Sequence, residues 1–225
     1  MNVSTKIARA TSNGAAPGGR RARALASRRA EVLATARRLF AVRGYQRSTM
    51  VQLAAASELA LGTLYQIFPS KEAILASLLE DYVDVLVARV RRAIAEAEGQ
   101  EDALERAVRT QLEFSRENAD VLRLYLHGWT GYEFAVRQRF GARLDAKYEQ
   151  YLEALTGVFR RGAREGLFAT DPPRRLAVAL AGMIHGLIRR WLQERELDLL
   201  TEGEALARLL LRGVRRTGRD HRCGR

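Results

Sequence analysis

What this chain of 225 residues lacks narrows its role before any motif is read. Its one cysteine, Cys223, rules out an intrachain disulfide and a cysteine-built metal centre, and suits a reducing cytoplasm. Its three histidines, His127, His185 and His221, are far apart in sequence, with no H-x-x-x-H or H-x-x-H pair, so no metal site is expected. The most apolar run, Leu176 to Ile188, is 13 residues long and contains His185. A bilayer needs about 20 residues, so no membrane partner is expected. Met1 to Ser27 is basic without an apolar core, which argues against a secretory signal. There is no G-x-S-x-G, no Gly-rich phosphate loop ending in Lys-Ser/Thr and no G-x-G-x-x-G after a strand, so neither an enzyme nor a cofactor is expected.

What is present is charge, unevenly placed. The formal net charge is +12. Met1 to Lys71 holds 12 Lys/Arg against 2 Asp/Glu, Glu72 to Leu211 holds 20 against 23, and Arg212 to Arg225 holds 6 against 1. A positive field concentrated on one end is what binding to a phosphate backbone requires. Residues 1–26 read as a flexible basic arm, in which Arg20, Arg21 and Arg23 either add phosphate contacts or do nothing. Residues 217–225 read as a loose basic tail.

Between these ends the pattern is helical throughout, and no strand-period alternation stands out, so the fold is expected to be all-α. Ser27 to Arg43 is amphipathic, with Val32, Leu33, Ala36, Leu39 and Phe40 inward and Gly44 placed to end it. Arg28, Arg29, Arg37 and Arg38 read as its solvated face. Thr49 to Ser57 and Leu61 to Phe68 are two short helices a few residues apart, the spacing of a helix-turn-helix. Thr49 and Gln52 make a T-x-x-Q capping box at the start of the first. Pro69 stops the second, and Ser70 opens a long helix to about Glu98, with Ile74, Leu78, Tyr82, Val85 and Leu86 inward.

Further helices are expected from Asp102, capped with Glu105, to about Glu117 and over Val121 to His127. After a loop at Gly128 to Glu133, Phe134 to Arg164 carries Val136, Phe140, Leu144, Tyr151, Leu155 and Phe159. Asp171-Pro172 opens a helix to about Glu196, and the last runs from Gly203 to Arg216.

The run GTLYQIFPSKEAIL at Gly62 to Leu75, together with RLFAVRGY at Arg38 to Tyr45, closely resembles the N-terminal DNA-binding domain of the TetR family of transcriptional regulators. The resemblance covers residues 27 to 87. It departs at Glu58, where the family usually has a turn Gly, and at Ala60-Leu61, where it usually has Ser-Lys. It implies a three-helix DNA-binding domain at 27–71 with its helix-turn-helix at 49–68, then a larger effector-binding and dimerisation domain at 72–216.

Thr49, Leu61, Gly62, Thr63, Tyr65, Gln66 and Lys71 are then the DNA-contact candidates. The hydroxyls of Thr49 and Tyr65 and the Lys71 charge suit phosphates, Gln66 can pair with adenine, Leu61 can touch a thymine methyl, and Gly62 permits close approach. The alternative for each is a capping or packing role. The resemblance also implies an effector pocket, for which Tyr82, Phe114, Tyr125, His127, Trp129, Tyr132 and His185 are the candidates. It implies pairing of the last two helices with their copies, through Leu180, Gly182, Met183, Gly186, Leu187, Trp191, Leu206, Leu209, Leu210 and Val214. Burial of those residues within one subunit is the alternative.

The expected protein is a cytoplasmic, nucleoid-associated homodimeric repressor, released from a palindromic double-stranded operator by a small lipophilic or aromatic effector. An activator, an effector-independent DNA binder and a non-specific architectural binder remain open.

Overall fold

Described over residues 17–126, 142–168, 171–194 and 196–215, the computed structural model consists of α-helices. They are α1 (Pro17–Arg43), α2 (Met50–Ala56), α3 (Leu61–Ile67), α4 (Lys71–Ala95), α5 (Gln100–Glu117), α6 (Ala119–Leu126), α7 (Ala142–Arg164), α8 (Pro173–Gln193) and α9 (Leu199–Val214). The all-α architecture is as expected.

Two apolar clusters organise the helices. The first gathers Val32, Leu33, Ala36 and Phe40 of α1 with Leu53 and Ala54 of α2. Leu64 of α3, Phe68 after it and Ile74, Leu75, Leu78 and Leu79 of α4 complete the head. Val121 and Leu124 of α6 and Leu144 of α7 belong to this same cluster, so the head's core is finished by the larger domain. The second cluster runs from Leu86, Val87 and Val90 of α4 through α5 and α7 to α8 and α9. Tyr82 and Val83 pack against both. As 25 residues at about 1.5 Å each, α4 is a rod of about 37 Å shared by the two cores.

Several boundaries differ from expectation, each for a local reason. Residues 17–26 are helical rather than a flexible arm, because Ala22, Ala24, Leu25 and Ala26 are good helix formers continuous with α1. Asp102 does not open α5. It lies in the first turn and accepts the backbone N–H of Glu98 at 3.0 Å while pairing with Arg106. The last helix starts at Leu199 because Asp198 accepts the Leu200 N–H at 3.2 Å and the Thr201 hydroxyl at 2.6 Å. At α8 the cap is Pro172 rather than Asp171. Val85 points outward, 44% exposed. The expected loop at 128–133, Val136, Phe140 and the tail at 217–225 lie outside the described residues.

The end of α7 shows how closely the second core is packed. Gly166, at φ 73°, lets the Leu167 N–H reach the Gly162 carbonyl at 2.9 Å, a Schellman closure. This folds Phe168 back so that its ring covers the Gly162 Cα, where a Cβ would land inside the ring. Phe168 is buried and cannot give way. Gly162→Ala is therefore expected to lower the unfolding free energy by about 1–3 kcal/mol in urea titrations. Gly157→Ala in the same helix, where the methyl meets only the tip of Arg161, should leave stability equal or higher.

Candidate nucleic-acid interface

Within α3 only Leu64 is fully enclosed, and Phe68 just beyond it is buried as well. These two residues, four apart, define the helix's back. The front is open: Leu61, Gly62, Tyr65 and Gln66 are exposed and Thr63 is half-buried. The recognition face expected from the sequence is thus assembled as one surface, with Tyr65 48% exposed although it is a large aromatic. Thr49 lies exposed at the N-terminus of α2. The Gln52 N–H donates to its Oγ1 at 3.2 Å, and its own N–H donates to Gln52 Oε1 at 3.1 Å, so the expected capping box forms.

The turn between α2 and α3 keeps a geometry that suits glycine. The Leu59 N–H reaches the Ala54 carbonyl at 2.9 Å and the Glu58 N–H reaches Ala55 at 3.2 Å, which again is a Schellman closure. It places Glu58 at φ 55°, the left-handed region. Ala60 caps α3 with no side-chain hydrogen bond. The chain therefore carries a side chain in the left-handed region at the turn and an uncapped start to α3, each of which costs stability.

Three cations expected at the surface are engaged within the protein. The ammonium of Lys71 donates to the carbonyls of Tyr45 at 2.9 Å and Ser48 at 3.0 Å and lies 4.3 Å from the Tyr45 ring centroid. It anchors the loop that delivers Thr49, where the sequence suggested a phosphate contact. Tyr45 in turn donates to Glu72 Oε1 at 3.0 Å. Hydrogen bonds from the first-turn backbone, Ser70 and Tyr45, with the nearby Lys71 charge, hold the Glu72 carboxyl below its ordinary range.

Arg29 donates to Ser77 Oγ at 2.6 Å and to the Ile67 carbonyl at 3.4 Å, and its guanidinium stacks 4.2 Å from the Phe68 centroid. Arg37 forms a two-pronged pair with Asp120, at 2.6 and 2.7 Å, and donates to Asn118 Oδ1 at 3.1 Å. The hydrogen bond from Arg37 pulls the Asp120 carboxyl down and raises the Arg37 guanidinium. The spacing of Arg29, Leu33, Ala36 and Phe40 follows one helical stripe, which was the signal that Arg29 faces inward.

In the larger domain, aromatic and polar side chains meet between α4, α5, α7 and α8. Tyr82 stacks on Phe114 at 4.9 Å, and its hydroxyl bonds with Ser115 at 3.1 Å. Burial pushes Tyr82 up to about 12. Tyr151 donates to Gln111. Tyr148 lies between Tyr151, at 6.1 Å, and His185, at 5.8 Å. The His185 side chain is accessible, yet protein surrounds it so closely that desolvation lowers its imidazole to about 4.

Of the expected pocket residues, Tyr82, Phe114 and His185 are thus placed around one region. The Tyr125 side chain, His127, Trp129 and Tyr132 lie outside the described residues. Tyr148, Gln111 and Ser115 are additions that helical periodicity alone could not separate from ordinary surface and core. Among the described residues no group of His, Cys, Asp and Glu could hold a metal, and no helix is long and apolar enough to cross a membrane.

The expected pairing surface divides in two. Leu180, Leu210 and Val214 are buried within the subunit, because residues 100° apart on a helix cannot all face a partner. Gly186 is open and Leu209 is 66% exposed, while Gly182, Met183, Leu187, Trp191 and Leu206 are half-buried. Val178 joins this outer face.

The turn makes a direct prediction. Glu58→Gly removes a left-handed side chain and should raise stability by up to ~1 kcal/mol. Ala60→Ser supplies the missing cap and should add about 0.5–1.5 kcal/mol. Urea unfolding midpoints test both; a fall for Glu58→Gly would mean its side chain, not the backbone, holds the turn.

Comparison with known proteins accounts for both halves. The model for bacterial regulatory proteins of the tetR family matches residues 32–78, and that for the C-terminal region of BetI-type transcriptional repressors matches residues 100–217. The chain is 28% identical over 144 residues to the HTH-type transcriptional repressor KstR2 of Rhodococcus jostii, covering 64% of this chain and 69% of that protein. It is 27% identical over 172 residues to the HTH-type transcriptional activator FasR of Mycolicibacterium smegmatis, covering 76% and 75%. The crystal structure of the regulator FadR from Bacillus subtilis in complex with stearoyl-CoA superposes with a TM-score of 0.70 at 20% identity, over 81% of this chain and 97% of that one. A helix-turn-helix head matched to one model and a helical body matched over more than half the chain to the other make this protein a member of the TetR family of DNA-binding transcriptional regulators, which are not enzymes.

Proposed function

We propose that the protein is a homodimeric repressor that reads a palindromic operator with α3 and releases it when a small lipophilic or aromatic effector enters the recess beside Tyr82, Tyr148 and His185. One observation carries this reading. The single helix α4 holds the loop before Thr49 through Lys71 at its start and carries Tyr82, packed on Phe114 and bonded to Ser115, three turns later.

Tyr65, Gln66, Thr63, Leu61, Gly62 and Thr49 face the DNA in this reading, and Lys71 acts by positioning the loop. Two copies paired through the outer faces of α8 and α9 set two α3 helices about 34–36 Å apart, one DNA turn. An effector shifts the equilibrium only by its difference in affinity for the two states, so tenfold release needs about 1.4 kcal/mol. The lining is apolar and aromatic with a few hydroxyls and one imidazole, which suits an uncharged lipophilic body. The stearoyl-CoA held by B. subtilis FadR makes a long-chain acyl thioester the first effector to test. The protein acts in the cytoplasm at the nucleoid.

An activator is the second reading, favoured by the similarity to FasR. Transcription from the bound promoter with and without the protein separates the two.

Selection from a random duplex library should enrich a symmetric site. Gln66→Ala should then weaken binding to that site by about 1–3 kcal/mol and leave random-duplex binding unchanged. Equal losses on both would remove Gln66 from base reading.

Leu209→Asp places a charge on the pairing face without touching the buried core. In sedimentation it should yield a helical monomer with no affinity for the symmetric site. A dimer that persists in this variant would move the interface elsewhere.

A further inference from the structure

The first turns of α1 have no role in the reading above. Every residue from Arg21 to Arg28 is exposed, including Leu25 at 59%, so this stretch contributes almost no core. It is nonetheless helical, and within α1 five arginines, Arg20, Arg21, Arg23, Arg28 and Arg29, precede the first acid, Glu31. Arg29 is taken up by Ile67, Ser77 and Phe68, but Arg21, Arg23 and Arg28 have no ion pair or hydrogen bond among the described residues. Several exposed arginines of the larger domain are paired, Arg89 with Glu117, Arg106 with Asp102, Arg174 with Glu149 and Arg215 with Glu101, whereas none of these three is. A run of unneutralised like charges on a helix that buries nothing is unfavourable unless an anion completes it.

Its position indicates which anion. Arg29 touches the last carbonyl of α3 and the ring of Phe68, so the arginine stretch departs from the C-terminal end of the recognition helix. From there to Pro17 the helix rises about 18 Å, more than the ~12 Å width of a major groove. Arg21 and Arg28 are seven residues apart, on one side of the helix and about 10.5 Å apart along it, close to three steps of about 3.4 Å along a DNA strand.

We propose that residues 17–28 are a second DNA-binding element, a helical clamp that sets Arg21 and Arg28 against the phosphates flanking the half-site read by α3. This rests on the operator-binding reading and extends it. The clamp carries no sequence information; it adds affinity and salt dependence, since phosphate contacts position and base contacts specify.

The test compares the full-length protein with R21A/R28A on a random duplex of about 30 base pairs between about 50 and about 200 mM KCl. Removing one phosphate-binding charge lowers the slope of log K against log salt by about 0.9, so a drop of about 2 is expected. Affinity at the low-salt end should fall by about tenfold or more. R21K/R28K, which keeps the charges, should retain most of the slope. An unchanged slope in the alanine variant, with capture of an acidic protein instead, overturns the clamp alone. Wild-type protein that binds no duplex overturns both the clamp and the operator reading.

Discussion

A helix of seven residues cannot hold its own shape in water, so α3 exists only because it is held from behind. Leu64 and Phe68 supply the hold by burying themselves in the first cluster, at about 1.5–3 kcal/mol each. The surrounding polar contacts serve the same end. Arg29 satisfies an orphan carbonyl at the helix's end while covering the Phe68 ring, and Lys71 fastens the loop ahead of α2 to the start of α4. What is left for solvent is a face whose geometry is set by the residues packed behind it.

That arrangement changes how the head's charge should be understood. A tally of lysines and arginines treats Arg29, Arg37 and Lys71 as free for phosphate, yet each is engaged by a carbonyl, hydroxyl or carboxylate of the protein itself. The head's usable positive charge lies further out, on the exposed arginines of α1.

The pattern of apolar residues was enough to place α2, α3 and the start of α4 to within a residue or two, because each begins or ends at a residue with local chemistry, Thr49, Pro69 or Ser70, whereas α1 begins ten residues before its expected start. It was less informative where the cause is tertiary. Val121 and Leu124 sit on an amphipathic stripe that could have faced either core, and only the fold shows that they complete the head. Leu180, Leu210 and Val214 look the same in sequence as Leu209, since a helix that serves both a subunit core and a partner is apolar on more than one side. Tyr82 and His185 stood out in the sequence as polar aromatics, whereas the hydrogen bonds of Gln111 and Ser115 depend on which ring comes to rest beside them.

These magnitudes decide where a ligand-driven motion can occur. The Arg37–Asp120 pair between α1 and α6 keeps about a third of each side chain exposed, and pairs of that kind contribute about 0.2–1 kcal/mol. Val121 and Leu124, buried against the head beside it, contribute about 1.5–3 kcal/mol each. Pulling α6 away from the head would forfeit all of these together, several times the 1.4 kcal/mol that tenfold release requires. In the proposed mechanism α6 therefore moves with α1, α2 and α3, and the boundary that matters mechanically is not the one at residue 71. In that mechanism the give lies on the other side of α6, where Leu122 is the one described side chain of α6 in the second cluster, and at Tyr82 and Val83, where α4 passes from one core to the other. An effector that pushes on Tyr82 acts at that seam, which is where the least packing has to be undone to turn the head.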